Sequence, residues 1–141
     1  MNNLSFHITD ITANSIRANA SEIGLSVEEQ DTRIVIRITD NGSGMDAETA
    51  RRVTNPFYTT RTTRKVGLGL PFLIQNAEQT GGSVTLTSEP GKGTEVRAVF
   101  HSDHIDCPPW GDLPGTVALL ITGNPEINVC FEYRSGETGY S

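Results

Sequence analysis

The alternation of apolar and polar positions separates the first part of the chain into one helix and two strands. Residues 4–20 place apolar side chains at helical spacing, which predicts a helix with one buried face. Residues 22–28 and 32–39 alternate between apolar and polar side chains, and the charged turn between them predicts an antiparallel pair of strands. A turn rich in Asp, Asn and Gly, over residues 40–44, ends the second strand.

The middle of the chain predicts further helices and a hairpin. Residues 70–80 form a helical pattern with proline near the first position and two glycines after the end. The strand patterns at 83–89 and 94–101 flank a Pro-Gly-Lys-Gly turn. A short helix is predicted over 47–54, followed by an irregular Thr-rich loop over 55–66. Consecutive strands joined by hairpins favour an α+β fold, a two-layer α/β sandwich in which helices back a mixed, mostly antiparallel sheet.

Residues 102–141 are predicted to form a linker followed by a helix-strand appendage. The linker ends near residue 111, the helix covers 113–122 and the strand covers 126–134. We therefore expect the main domain to occupy residues 1–101. The pattern leaves open whether the appendage completes the sheet or forms a surface for a partner.

Composition is typical of one small, acidic domain. The chain has 141 residues and a formal net charge of −6, which argues against broad binding to nucleic acid or to anionic lipid. It has no run of about 18 apolar residues, so no membrane insertion is expected. The start lacks the pattern of a signal peptide, and two cysteines make no disulfide framework, so we expect a cytoplasmic protein.

One basic segment stands apart from this acidic background. Residues 49–77 contain five Arg or Lys residues and no Asp or Glu, so this segment carries +5 and the remainder carries −11. The segment leads into Gly67 and Gly69 and then into a helix start, where free backbone N–H groups favour phosphate. It predicts either a local anionic partner or a solvated basic loop.

A polar ridge on the first helix predicts chemistry beside the buried face. Asp10, Asn14 and Arg17 are spaced i, i+4, i+7 and therefore lie along one line of the helix. A carboxylate can polarise water, an amide oxygen can ligate Mg²⁺, and a guanidinium can hold a phosphate oxygen. The alternative is a solvated helix face that binds nothing.

The turn after the second strand is a candidate site for a planar base. Asp40, at the end of a strand, can accept a hydrogen bond from an exocyclic amine. Gly42 and Gly44 let the chain approach a ring closely, and Met45 can pack on that ring. The alternative is an ordinary Asx turn. The later Gly-x-Gly over residues 67–69 is neither a Walker A loop nor a Rossmann fingerprint, because the other residues of those motifs are missing.

The order of these motifs resembles the GHKL superfamily, which comprises histidine kinase ATP-binding domains, mismatch-repair ATPases, gyrase B-type ATPases and heat-shock-90-type chaperones. The resemblance covers about residues 4–101 and is closest to the sensor histidine kinase branch. The similar segments are residues 10–20 for the N box, 38–45 for the G1 box, 55–61 for the F box and lid, 67–70 for the G2 box, and 81–83 and 91–94 for the last strands.

The resemblance implies the Bergerat ATP-binding fold, with a left-handed β-α-β unit, and assigns roles to individual residues. Asn14 would ligate Mg²⁺, and Asp10 would stand where hydrolysing members keep a Glu base. Asp40 would read the adenine amine, and the basic segment would close as a lid on the triphosphate. The other residues assigned to the nucleotide are Arg17, Gly42, Gly44, Met45, Phe57, Thr60, Arg61, Lys65, Gly67, Leu68, Gly69, Leu70 and Thr94.

The function that the resemblance implies is Mg²⁺-dependent binding of ATP, with phosphotransfer to a separate protein, as in two-component signalling, or slow hydrolysis. The alternative is an ATP-switched interaction module of the anti-sigma-factor type; either function calls for a protein partner. Asp10 is one methylene shorter than Glu, which disfavours efficient water activation. Because the N box begins about ten residues from Met1, we expect no phosphoacceptor domain in the chain, and His7 is disfavoured as an acceptor because it would lie in its own ATP site.

A His- and Cys-containing segment follows the last strand of the main domain. His101, His104 and Cys107 recur at three-residue spacing, and zinc would accept their side chains as ligands. No Cys-x-x-Cys pair accompanies them, so a linker rich in His and Asp is favoured over a zinc site.

Overall fold

The computed structural model describes residues 3–30, 32–44, 69–104 and 107–135, which contain three helices and five strands. The helix predicted over residues 47–54 and the loop after it lie outside the described residues. In chain order the elements are α1 (Leu4–Arg17), β1 (Glu22–Gln30), β2 (Arg33–Asp40), α2 (Gly69–Gln79), β3 (Ser83–Glu89), β4 (Gly93–His101), α3 (Leu113–Gly123) and β5 (Asn128–Ser135).

The five strands form one sheet in the order β3-β4-β2-β1-β5. β1 pairs antiparallel with β2, β2 with β4, and β3 with β4, so the predicted mixed and mostly antiparallel sheet is confirmed. β5 pairs parallel with β1, with Asn128 opposite Glu22. The last described strand therefore extends the same sheet beyond β1.

Helix α1 begins at a side-chain cap and ends earlier than predicted. Asn3 Oδ1 accepts a hydrogen bond from the backbone N–H of Phe6 at 2.6 Å, which satisfies one of the free N–H groups of the first turn. The helix ends at Arg17, and Asn19 adopts a left-handed conformation with a φ of 63°. A left-handed residue turns the chain out of a helix, so the predicted end at residue 20 is three residues too late.

The helices cover one face of the sheet, and the core lies between the two layers. The predicted apolar stripe of α1 is buried, with Leu4, Ile8 and Ile11 at most 3% exposed. Among the described residues, the largest fully buried side chain is Phe100 on β4. Burial of this apolar surface is the main stabilising contribution to such a fold. The other members of the core are Leu25, Val27, Ile34, Ile36, Ile38, Leu70, Leu73, Ala77, Val96, Ala98 and Val117.

The segment before α3 is attached to the first turn of α1. The backbone N–H of Leu4 donates to the carbonyl oxygen of Pro109 at 2.8 Å. The hydroxyl of Ser5 donates to the carbonyl oxygen of Trp110 at 2.6 Å. The indole Nε1 of Trp110 donates in turn to Glu29 on β1 at 3.1 Å. Trp110 therefore joins the helical layer to the sheet.

Helix α3 packs on the core along one side only. Its N-terminus is capped by Asp112, whose side chain accepts a hydrogen bond from the backbone N–H of Gly115 at 3.0 Å. Val117 is buried, whereas Leu119 and Ile121 are 73% and 45% exposed. Within the part of the chain that the structure describes, no helix is both long enough and apolar enough to cross a membrane.

His7 lies in the core at the contact between α1 and α2 and is 1% exposed. Its Nε2 is 2.8 Å from the amide nitrogen of Asn76 on α2, and because an amide nitrogen only donates, Nε2 accepts and carries no proton. The imidazole also faces the ring of Phe100, with centroids 6.4 Å apart. Burial disfavours the charged imidazolium and lowers the pKa of His7 from 6.5 to about 4.

We expect the protein to lose stability as the pH falls from 6.5 to about 4. In this window the unfolded chain binds a proton at His7 and the folded chain does not, so the free energy of unfolding falls by about 1.4 kcal/mol per pH unit. His7→Gln removes the titrating group and should flatten this dependence in denaturant titrations across the window. The same substitution at the exposed His104 should leave the slope intact. A His7→Gln slope equal to that of the parent would contradict the assignment.

Candidate functional site

The carboxylate of Asp40 is held from two sides at the end of β2. Its Oδ1 accepts a hydrogen bond from the backbone N–H of Gly42 at 2.8 Å, which closes the turn after the strand. Its Oδ2 accepts a hydrogen bond from the hydroxyl of Ser15 on α1 at 2.6 Å. Both oxygens are therefore acceptors, and these two bonds fix the orientation of the carboxylate.

Asn41 ties the same turn to the start of β1. Its Oδ1 accepts hydrogen bonds from the backbone N–H groups of Ser21 and Glu22, both at 2.9 Å. Its Nδ2 donates to the hydroxyl of Ser21, also at 2.9 Å. Sequence reasoning gave no role to Asn41 or to Ser15. The turn propensity of Asn could have indicated the role of Asn41 in the turn. The sequence carries no comparable signal for the contact that Ser15 makes.

The turn after β2 packs closely against the end of α1. The backbone N–H of Ser43 donates to the carbonyl oxygen of Ala18 at 3.0 Å. A Cβ on Gly42 would lie 2.8 Å from that same carbonyl oxygen. Any side chain at position 42 would therefore force the turn away from the helix.

The β3–β4 hairpin closes on the other side of the turn. Gly44 has a φ of 73°, and a Cβ there would lie 1.9 Å from the carbonyl oxygen of Glu89. Gly93 has a φ of 117°, and a Cβ there would lie 2.0 Å from the carbonyl oxygen of Asp40. Both positions combine a left-handed backbone with a close approach, which only glycine accommodates. The backbone N–H of Gly91 completes the contact by donating to Ser43 at 2.7 Å.

Thr94 lies directly opposite Asp40 in the register between β2 and β4. Its hydroxyl is 2.8 Å from the hydroxyl of Ser88 on β3, and Ser88 donates to the carbonyl oxygen of Gly93 at 3.0 Å. Because Ser88 uses its proton in that bond, Thr94 is the donor to Ser88. The predicted residues Asp40, Gly42, Gly44 and Thr94 thus meet at one end of the sheet.

Two surface depressions differ in chemistry. A polar one of about 270 Å³ includes Asp40 and Thr94 together with Glu89 and Lys92. A larger one of about 420 Å³ lies between α3 and β5 and contains none of the residues predicted to bind nucleotide. The larger groove is lined by Trp110, Leu113, Pro114, Val117, Phe131 and Tyr133.

The three residues of the polar ridge on α1 interact with one another through charge and through one hydrogen bond. Arg17 Nη2 donates to the side-chain oxygen of Asn14. Asp10 is half-buried, and this burial raises the pKa of its carboxyl, while the positive charge of Arg17 opposes the rise. The structure therefore brings these three residues together on the helix that also contributes Ser15.

The end of the site that is predicted to bind phosphate is described only in part. Gly69 and Leu70 begin α2, and the Leu70 side chain is 3% exposed within the core, so a contact with phosphate would use its backbone. The predicted residues that lie outside the described part of the chain are Met45, Phe57, Thr60, Arg61, Lys65, Gly67 and Leu68.

The candidate zinc ligands lie at the end of β4 and in the segment after it. His101, the last residue of β4, is half-buried, and His104 is exposed. Burial raises the pKa of the Cys107 thiol. In the described ranges, no group of three or more His, Cys, Asp or Glu side chains is arranged to hold a metal ion.

Comparison with known proteins points to one family. The family model described as histidine kinase-, DNA gyrase B-, and HSP90-like ATPase matches residues 3–104. A putative sensor protein of Shewanella frigidimarina is 32% identical over 97 residues, which are 66% of this chain and 15% of that protein. The sensor histidine kinase YxdK of Bacillus subtilis is 29% identical over 104 residues, which are 69% of this chain and 32% of that protein. The chain thus spans less than a third of the length of either relative.

A solved structure shares the fold. It is described as the Aquifex aeolicus MutL ATPase domain complexed with ADP, and it matches with a TM-score of 0.59 and 17% identity over 98% of this chain and 62% of that chain. At this identity the likeness shows the fold alone. The family model is stronger evidence of kinship than this structure, because its match extends from the cap of α1 to the residues after β4. The chain therefore belongs to the family of histidine kinase-, DNA gyrase B- and HSP90-like ATPases.

Proposed function

We propose that this chain binds ATP with Mg²⁺ and either passes the terminal phosphate to a separate protein or hydrolyses it slowly. The observation that carries the proposal is the Asp40 carboxylate, which Ser15 and Gly42 hold with both oxygens as acceptors. An acceptor held in a fixed orientation selects a donor such as the adenine amine. Membership of an ATPase family supports a nucleotide as the ligand.

Asn14 is the residue that would ligate Mg²⁺. An amide oxygen is a hard donor, and Mg²⁺ in nucleotide sites needs few protein ligands because phosphate oxygens and water supply the others. In the structure this oxygen accepts a hydrogen bond from Arg17, so it is already oriented toward a positive charge. A cation at Asn14 would replace the guanidinium, and Arg17 would then be available for a phosphate oxygen.

Asp10 is the candidate general base. It lies one helical turn before Asn14, and burial raises the pKa of its carboxyl, which makes the ionised group a better proton acceptor. Phosphoryl transfer depends mainly on positioning and charge, so a short base limits water activation more than it limits transfer to a well-placed acceptor group. That acceptor would belong to a separate protein.

A second candidate function is an interaction module that ATP binding switches. Large apolar side chains exposed in the described residues all belong to α3 or β5, outside the nucleotide site. An apolar surface of this kind is typical of protein contacts, so it supports a protein partner. The exposed side chains are Leu119, Ile121, Phe131 and Tyr133.

Asp40→Asn tests the base-binding assignment. We expect the affinity for a non-hydrolysable ATP analogue to fall about tenfold or more, because a hydrogen bond to a charged acceptor is lost. Calorimetry measures the affinity, and circular dichroism checks that the nearly isosteric variant is folded. Asp103→Asn, the same change at an exposed position after β4, is the matched control and should bind as the parent does. Unchanged affinity in Asp40→Asn would refute the pocket.

Asn14→Ala tests the metal assignment. Removing the amide oxygen should make the affinity for ATP nearly independent of Mg²⁺, because the bridge between cation and protein is lost. Thermal stabilisation by ATP, measured with and without Mg²⁺, reports the change. Thr9→Ala, at an exposed position on the same helix, should keep the Mg²⁺ response of the parent. A full Mg²⁺ response in Asn14→Ala would count against this role.

Asp10→Asn tests whether Asp10 acts as a general base in ATP hydrolysis. If the chain turns over ATP, the variant should consume it about a hundredfold more slowly, since a general base contributes at least that factor. Phosphate release and calorimetry, measured in parallel, distinguish lost chemistry from lost binding. Glu78→Gln removes an exposed carboxylate from α2 and should not alter the rate. A parent chain that binds ATP but consumes none would exclude hydrolysis and leave phosphotransfer to a separate protein or the interaction module.

A further inference from the structure

The hydrogen bond between Ser15 and Asp40 joins residues that are 25 positions apart. Ser15 is 3% exposed, so its hydroxyl is shielded from water and needs a protein partner. The 2.6 Å separation between Ser15 Oγ and Asp40 Oδ2 is in the range of charge-assisted O–H···O bonds. The bond is therefore a strong link between α1 and the end of β2.

The neighbouring buried hydroxyl of α1 behaves differently. Thr12 is also 3% exposed, but its Oγ1 donates to the carbonyl oxygen of Ile8 at 2.8 Å, within the helix. Ser and Thr hydroxyls in helices commonly return to the preceding turn in this way. Ser15 instead donates out of the helix to a carboxylate. The two residues form a natural pair for comparison, since both are buried hydroxyls on one helix and only one reaches the site.

The geometry at Asp40 shows what the Ser15 bond adds. The backbone N–H of Gly42 holds one carboxylate oxygen, and this single bond leaves the group free to turn about its side-chain torsion. The hydroxyl of Ser15 holds the other oxygen from a different element, and the two donors together fix the plane. The Ser15 hydroxyl and the Gly42 N–H both donate to the carboxylate, so neither is available to donate to a ligand. The carboxylate itself has no proton, so it can only accept a hydrogen bond from a ligand. A base that presents an amine there is favoured, and a base that presents a carbonyl oxygen is opposed.

We propose that Ser15 is a positioning residue for purine recognition: it holds Asp40 so that the carboxylate selects a six-amino purine. The inference rests on the proposed function, since it refines how the same site chooses its nucleotide. Ser15 directly follows Asn14, so one turn of α1 orients the base-reading carboxylate and the oxygen assigned to Mg²⁺. The helix thereby sets the spacing between the base and the phosphate ends of the ligand.

The test compares two ligands on each variant. ATP and purine riboside triphosphate differ at the six-amino group, and their dissociation constants are measured by calorimetry with Mg²⁺ for the parent, Ser15→Ala and Thr12→Val. We expect the parent to favour ATP by about tenfold or more, as for a hydrogen bond to a charged group. Ser15→Ala should lose most of this preference through weaker ATP binding, with the analogue bound nearly as by the parent. Thr12→Val removes a buried hydroxyl at nearly constant shape and should keep the preference.

The ratio of the two constants separates positioning from damage to the fold. A partly unfolded sample lowers both apparent affinities by the same factor, so the ratio is unaffected by a general loss of stability. Ser15→Thr keeps a hydroxyl at this position, so the folded variant should retain the preference for ATP. If Ser15→Ala keeps the ratio of the parent, the inference is wrong while the proposed function stands. If the parent binds neither ligand, or both equally, the assignment of Asp40 itself fails.

Discussion

The carboxylate of Asp40 imposes the constraint on which the rest of the site depends. A charged group at the end of a central strand needs donors wherever water is excluded. Here the donors come from α1, through Ser15, and from the turn itself, through Gly42. To provide them, α1 must end beside the turn, and the turn must lie against Ala18. The contacts that satisfy one side chain thus place the helix with the polar ridge across the end of β2.

The β3–β4 hairpin packs directly against this turn and holds it in place. Glycine at positions 44 and 93 lets the turn and the hairpin touch through backbone atoms alone. Gly91 adds a direct hydrogen bond to the turn, and Thr94 stands opposite Asp40 with its hydroxyl committed to Ser88. These backbone contacts hold the wall beside Asp40 in place, although each glycine fixed there loses more conformational freedom on folding than another residue would. Under the proposed function, a fixed wall beside Asp40 would help this carboxylate to discriminate between bases.

How much of this follows from sequence depends on whether a feature is local. The helical stripe of α1 and the β3–β4 hairpin are set by spacing and turn residues, and both are confirmed. The end of α1 was missed because it depends on the left-handed backbone at Asn19, which a pattern of apolar residues does not report. Ser15 was missed because its partner lies far along the chain. The parallel pairing of β5 with β1 is likewise non-local, so the sequence left its place open.

The two ends of the proposed nucleotide site differ in how ready they are for a ligand. At the base end, Asp40 is already oriented and both of its donors are in place, so recognition requires no rearrangement of these groups. At the phosphate end, Arg17 donates to the oxygen of Asn14 that Mg²⁺ would need, so binding must exchange one positive charge for another. That exchange would put a doubly charged cation in place of the singly charged guanidinium, and the freed guanidinium could then bind a phosphate oxygen. The base end would then select the purine, and the hydrogen bond between Arg17 and Asn14 would break only when a metal-bound phosphate is present.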